Sequence, residues 1–215
     1  MHNTEKDAAL RAEKQKKAME TAFRLFTEKS IDAVSMNDIA RESGVGIATL
    51  YRYYENKVQF VTAISVWKWE EYQKVDRPPL KYGDNGPTGA EIITYFLDSF
   101  LDLYRNHKDL LRFNQNFNIF IRGENADGEA VASYSRMIDR LAVLFQQAWE
   151  RGARDGTLCT DTPWKQAFSA ILHLMLAAVT RYAVGLVYQT ADSSETESEL
   201  VLLRNMLLQQ YVRGS

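Results

Sequence analysis

A capped helix that a glycine closes soon after it starts, followed at once by a second short amphipathic helix, is the tightest constraint in this sequence. Ser35-Met36-Asn37-Asp38 forms a capping box. The Ser35 hydroxyl can accept from the backbone N–H of Asp38 while the Asp38 carboxylate reaches back. Met36, Ile39 and Ala40 supply the buried face, and Gly44 ends the helix because glycine takes the left-handed conformation at little cost. Val45 offers an apolar plug for the turn, and Gly46 is a modest N-cap for the next helix. From Ile47 to Tyr54, steps of about 100° put Ile47, Leu50 and Tyr54 on one side. Ala48, Thr49 and Arg52 lie opposite, with Tyr51 and Tyr53 on the flanks. This is a helix–turn–helix layout, in which an apolar back lets the second helix enter a major groove. Thr49, Tyr51, Tyr53 and Lys57 are then placed to bond phosphates and set register. The same spacing fits any small three-helix packing unit, so the pattern alone leaves both readings open.

The rest of the chain points to an all-α protein. Only four prolines and eleven glycines punctuate 215 residues, which favours long helices. Ala18, Ala22, Phe23, Leu25 and Phe26 make a helical stripe behind a charged stretch. Asn56 and Gln59 open a fourth helix, Lys57 to Val75, and residues 76–87 form a Pro- and Gly-containing break. Thr88 with Glu91 caps the next helix, and others are expected over about Lys108–Ile121 and Ala126–Ala153. Thr162-Pro163 starts one that runs to about Gln189, and Ser194 with Glu197 caps the last. That makes about nine helices in two parts. Residues 1–75, with the helix–turn–helix at about 35–54, would form a DNA-binding domain on the groove-binding reading, and residues 76–215 form a larger body. Ala167 to Val187 is apolar nearly all round, and seven of the nine residues from Leu200 to Leu208 are apolar. Helices without a polar face must be covered on both sides. Helices over about 163–189 and 194–213 are therefore expected to form a two-fold homodimer interface.

Composition excludes several classes. The balance is 26 Lys+Arg against 28 Asp+Glu, so no global basic field recruits nucleic acid. Residues 1–77 carry 13 basic and 12 acidic side chains, and residues 78–215 carry 13 and 16. The sign makes the N-terminal part the one to approach a polyanion. The single Cys159 forms no internal disulfide and suits a reducing, cytoplasmic setting. The longest apolar run, Ala170–Val179, contains His173 and is too short to span a membrane. No nucleophile elbow, phosphate-binding loop, His-Glu-x-x-His or Glu-x-x-His motif occurs, so no enzyme, cofactor or metal site is expected.

Ala33-Val34-Ser35-Met36-Asn37-Asp38-Ile39-Ala40, Gly44-Val45 and Thr49-Leu50-Tyr51-Arg52-Tyr53-Tyr54-Glu55-Asn56-Lys57 resemble the TetR family of bacterial transcriptional regulators. The resemblance runs from the Phe23-Leu25-Phe26 helix through Ile64, about the first third of the chain. Two positions depart from its pattern: Gly46 replaces the commoner Ser cap, and Tyr54 stands where Phe is usual. The resemblance implies an omega-shaped homodimer, a ligand-responsive repressor on a palindromic DNA operator. Ser35, Thr49, Tyr51, Tyr53 and Lys57 would hold the DNA backbone, while Asn37, Ile47, Ala48 and Arg52 would face bases. It also implies a small-molecule effector pocket in the second half. The candidates are Trp67, Phe100, Tyr104, Phe117, Met137 and His173, against the reading of aromatics at helical spacing as ordinary core. The competing class is a helical small-molecule-binding or protein-interaction dimer whose DNA-binding unit is silent.

Overall fold

Starts and stops of the helices follow local chemistry at most boundaries. The computed structural model describes residues 2–74, 86–126, 128–186 and 193–214. Among them the helices run α1 (His2–Glu28), α2 (Met36–Ser43), α3 (Ile47–Tyr53), α4 (Lys57–Lys74) and α5 (Gly89–Asn106). They continue as α6 (Lys108–Gly123), α7 (Ala132–Asp155), α8 (Trp164–Ala183) and α9 (Ser193–Tyr211). The fold is all-α, as expected, and among the described residues the only β-type pairing is an isolated bridge between Leu158 and Val212. None of these helices is long and apolar enough to cross a membrane.

Several boundaries differ from those expected. α1 takes in the whole charged stretch back to His2, because Ala, Lys, Glu, Gln and Arg all favour helix and neither Gly nor Pro interrupts. α7 begins at Ala132 rather than near Ala126. The Asn125 and Ala126 amides turn back onto the carbonyls of Arg122 and Ile121, and Asn125 adopts φ 48°. Pro163 occupies the N-cap of α8 rather than its first turn, and Gly185 at φ 76° follows the end of that helix. The helix expected to reach about Gln189 stops at Ala183, with residues 184–186 not helical; residues 187–189 and most of the 76–87 break lie outside the described residues. α9 starts one residue ahead of Ser194, and Glu197 pairs with Arg105 of α5 at 2.6 Å.

Two units are distinguished. The first comprises Met1–Lys74 with Phe113–Ser135. Ala18, Ala22, Phe26, Ile39, Leu50, Phe60 and Ile64 are fully buried in it. Phe113 packs on Phe23 at a centroid distance of 5.2 Å, and Asn116 donates to the Phe26 carbonyl at 2.8 Å. The second comprises Val75–Arg112 with Arg136–Ser215. Its aromatic centre joins Phe96 to Phe145 at 5.4 Å and Phe145 to Phe168 at 5.3 Å. The start of α5 is held in four ways. Thr88 accepts from the Glu91 amide, and the Glu91 carboxylate accepts from the Thr88 amide at 2.7 Å. Asp155 accepts from the Gly89 amide at 2.8 Å and Thr157 from the Ala90 amide at 3.1 Å. These bonds satisfy amides that a helix start otherwise leaves orphaned.

Candidate nucleic-acid interface

The capping box that opens α2 is formed in full. Ser35 Oγ accepts from the Asp38 amide at 3.1 Å, and Asp38 Oδ2 accepts from the Ser35 amide at 3.0 Å and from the Ser35 hydroxyl at 2.6 Å. Arg41 adds a bond to Asp38 Oδ1 at 2.7 Å. The Ser35 hydroxyl, its backbone amide and then Arg41 hold the Asp38 carboxyl down to about 2. A carboxyl whose folded pKa is depressed stabilises the fold above its unfolded value and loses that contribution as pH falls through the folded one. Amide protection of the first turn of α2 is therefore expected to decline between the ordinary value of 3.8 and about 2. Hydrogen exchange on Asp38→Asn should show no such decline in that window. An equal decline in both proteins would assign it to another group.

Gly44 then closes α2 at φ 68°, a left-handed conformation that a side chain would strain. Val45 is buried beneath the turn, and its amide donates to Ser43 Oγ at 3.2 Å. Gly46 starts α3 with no side-chain bond, and its carbonyl accepts from the Thr49 and Leu50 amides at 2.8 and 3.2 Å. Leu50 is fully buried and Ile47 half-buried, while Ala48, Tyr51 and Arg52 are exposed. The two-sided character expected of α3 is thus present, with half of the Tyr51 side chain open to solvent. Thr49 and Tyr53 are half-buried beside this face, and Asn37 is exposed on α2. Tyr54 packs its ring against Phe60 at 4.6 Å, and burial raises its hydroxyl pKa.

Lys57 is placed differently from its neighbours. Its ammonium donates to the Ile31 carbonyl at 2.6 Å and lies 5.2 Å from the centre of the Phe120 ring. Burial lowers its pKa, against the pull of Asp32 and Glu124. This turns the cation inward, where it braces the start of α4 against the turn ahead of α2. Ser35 likewise gives its hydroxyl proton to Asp38. A feature that local pattern reading missed lies beside α3. Arg11 of α1 and Arg52 both stand 5.5 Å from the centre of the Tyr53 ring. A groove of about 520 Å³ is lined there by residues that include Arg11, Lys14, Arg52 and Tyr53. The signal in the sequence was the step of seven from Arg11 to Ala18, which puts both on one helical face.

The six candidate effector residues are divided between the two units. Trp67 and Phe117 belong to the first unit, and Phe100, Tyr104, Met137 and His173 to the second. Phe100, Tyr104, Phe117 and Met137 are buried. Phe117 lines a hollow of about 270 Å³ with Ile121, Arg122 and Tyr134. Tyr104 packs on Tyr182 at 6.4 Å. His173 is exposed on α8, with Nδ1 at 3.3 Å from Ser169 Oγ.

Residues 18–64 match the model of bacterial regulatory proteins of the tetR family. An HTH-type transcriptional regulator of Staphylococcus aureus strain USA300 is 42% identical over 45 residues. Those residues are 21% of this chain and 24% of that protein, so the match spans about a quarter of the relative's length. Among solved structures, Salmonella enterica GusR superposes with a TM-score of 0.67 at 16% identity, over 92% of this chain and 94% of its own. FadR from Bacillus subtilis in complex with stearoyl-CoA gives 0.66 at 17%, over 93% and 98%. The fold is therefore shared with these neighbours over nearly the full length, and the family match covers residues 18–64.

Proposed function

We propose that this chain is a TetR-family transcriptional regulator that binds duplex DNA as a homodimer, with α3 as the helix that reads the major groove. The observation that carries this reading is the construction of α3. A seven-residue helix with Leu50 fully buried presents Ala48, Tyr51 and Arg52 outward. Thr49, Tyr51 and Tyr53 would hold phosphates and set register. Asn37 and Arg52 would hydrogen-bond base edges, whereas Ile47 and Ala48 offer only apolar contact to thymine methyl groups. Lys57 and Ser35 serve the site from within, by bracing α4 and capping α2.

Dimerisation through α8 and α9 is supported by the large apolar side chains left open there: Leu174 at 50%, Leu202 at 60% and Met206 at 57% exposure. A two-fold pair of readers would bind a near-palindrome with half-sites about 34–36 Å apart. The protein would repress transcription until an effector that prefers a splayed dimer shifts the population and releases the DNA. The bound stearoyl-CoA in the Bacillus FadR of the same fold supports a small-molecule effector for this one.

Selection of binding sites from a random duplex library tests the reading. A palindromic site should emerge, bound with an affinity that falls steeply as salt rises. Tyr51→Phe should weaken binding to all selected sequences alike, whereas Arg52→Ala should change which sequences are preferred. Failure to enrich any sequence, with no binding even at low salt, would favour a helical dimer with a silent DNA unit.

A further inference from the structure

Ahead of residues 18–64, the part that matches the family model, α1 continues as exposed helix. Every described side chain from Lys6 to Lys14 is exposed. Apolar packing therefore gives this stretch no purpose, and a helix of this length is marginal by itself. Its charges are arranged by side. Arg11 lies on the stripe of Ala18, Ala22 and Leu25, whose later turns face α2 and α3. Lys14 and Lys17 follow at steps of three, each displaced by about 60° round the helix in one direction. Lys16 and Glu20 sit further round and pair with each other at 3.7 Å.

The side that carries Arg11 borders the outward face of α3. Arg11 stands over the Tyr53 ring, and Arg11, Lys14 and Arg52 line one groove together with a single carboxylate, Asp7. Lys17 reaches the α2–α3 turn, with Nζ 3.8 Å from where a side chain on Gly44 would begin. We infer that the N-terminal turns of α1 are a second DNA-backbone-binding element, in which Arg11, Lys14 and Lys17 hold phosphates beside α3. The guanidinium fork of Arg11 matches two phosphate oxygens, and the two ammonium groups act as point charges. Such interactions raise affinity for every sequence and carry no base information. Asp7 opposes them. The element rests on the reading of α3 as the DNA-binding helix and extends that surface beyond the family-matched segment.

Fluorescence anisotropy of the full-length protein on a labelled 30-bp duplex of arbitrary sequence, titrated at several salt concentrations, tests this. Removing one phosphate-binding cation should lower the slope of log affinity against log salt by about one, so R11A/K14A/K17A should lower it by about three. Asp7→Asn should tighten binding, and Lys16→Ala should match the parent. The changed residues are exposed, so helix content by circular dichroism should not move. An unaltered slope for the triple variant, alongside binding abolished in a Thr49→Ala/Tyr51→Phe variant, overturns the α1 element and leaves the α3 reading intact. Absence of duplex binding by the parent protein overturns both.

Discussion

Gly89→Ala is expected to be among the most destabilising single-atom-scale changes in this chain, by about 3 kcal/mol or more. A Cβ on Gly89 would lie 2.2 Å from the Gly152 Cα and 2.3 Å from its amide nitrogen. Both neighbours are backbone, so no rotamer change relieves the overlap, and α5 and α7 must move apart. That movement would also break the bond from the Gly89 amide to Asp155 and the bond from the Ala90 amide to Thr157. Gly152→Ala meets Leu158 Cδ1 at 2.3 Å instead. Leu158 is a buried side chain with little room, so the expected cost is about 1–3 kcal/mol. Gly123, at the end of α6, has no atom within 4 Å of the position a Cβ would take, and Gly123→Ala serves as the neutral control. Denaturant unfolding of the three variants should rank them in that order. A Gly89→Ala protein as stable as the Gly123→Ala one would show that the two helices do not approach so closely.

The close approach of Gly89 to Gly152 illustrates what a linear reading misses. What it captures is local: the Ser35–Asp38 box, the left-handed Gly44, the buried Leu50 and the Thr88–Glu91 box each depend on residues within four positions of one another. Lys57 was legible as a cation near the reading helix, but not as one that bonds the Ile31 carbonyl 26 positions earlier. Periodicity marks Phe113 as core without revealing that it packs on Phe23, a pairing that groups Phe113–Ser135 with the N-terminal unit. The charged stretch before Ala18 reads as solvated, and its side chains from Lys6 to Lys14 are exposed. Its relation to Tyr53 appears only when α1 and α3 are seen together. The effector candidates were the least legible, since burial and aromatic character are common to core and pocket alike.

Ala48→Glu is expected to reduce duplex binding by about a hundredfold or more while leaving the fold intact. Ala48 is exposed at the second position of α3, a helix with no acidic residue in its first turn. A carboxylate there complements the helix dipole, so α3 itself should gain stability slightly. On the DNA side the sign reverses. The new charge would face phosphates and the acceptor edges of bases, and like-charge juxtaposition across an interface costs several kcal/mol. A Glu four residues ahead of Arg52 also pairs with it, which removes the cation proposed to hydrogen-bond base edges. Ala48→Gln, of nearly the same size and uncharged, separates charge from bulk. Anisotropy titrations should find Ala48→Gln far closer to the parent than Ala48→Glu, with neither variant melting below the parent. Equal losses in the two would assign the effect to crowding of the groove. Parent-like binding by Ala48→Glu would mean that the outward face of α3 does not meet DNA, and the exposed row of Ala48, Tyr51 and Arg52 would then need a different partner.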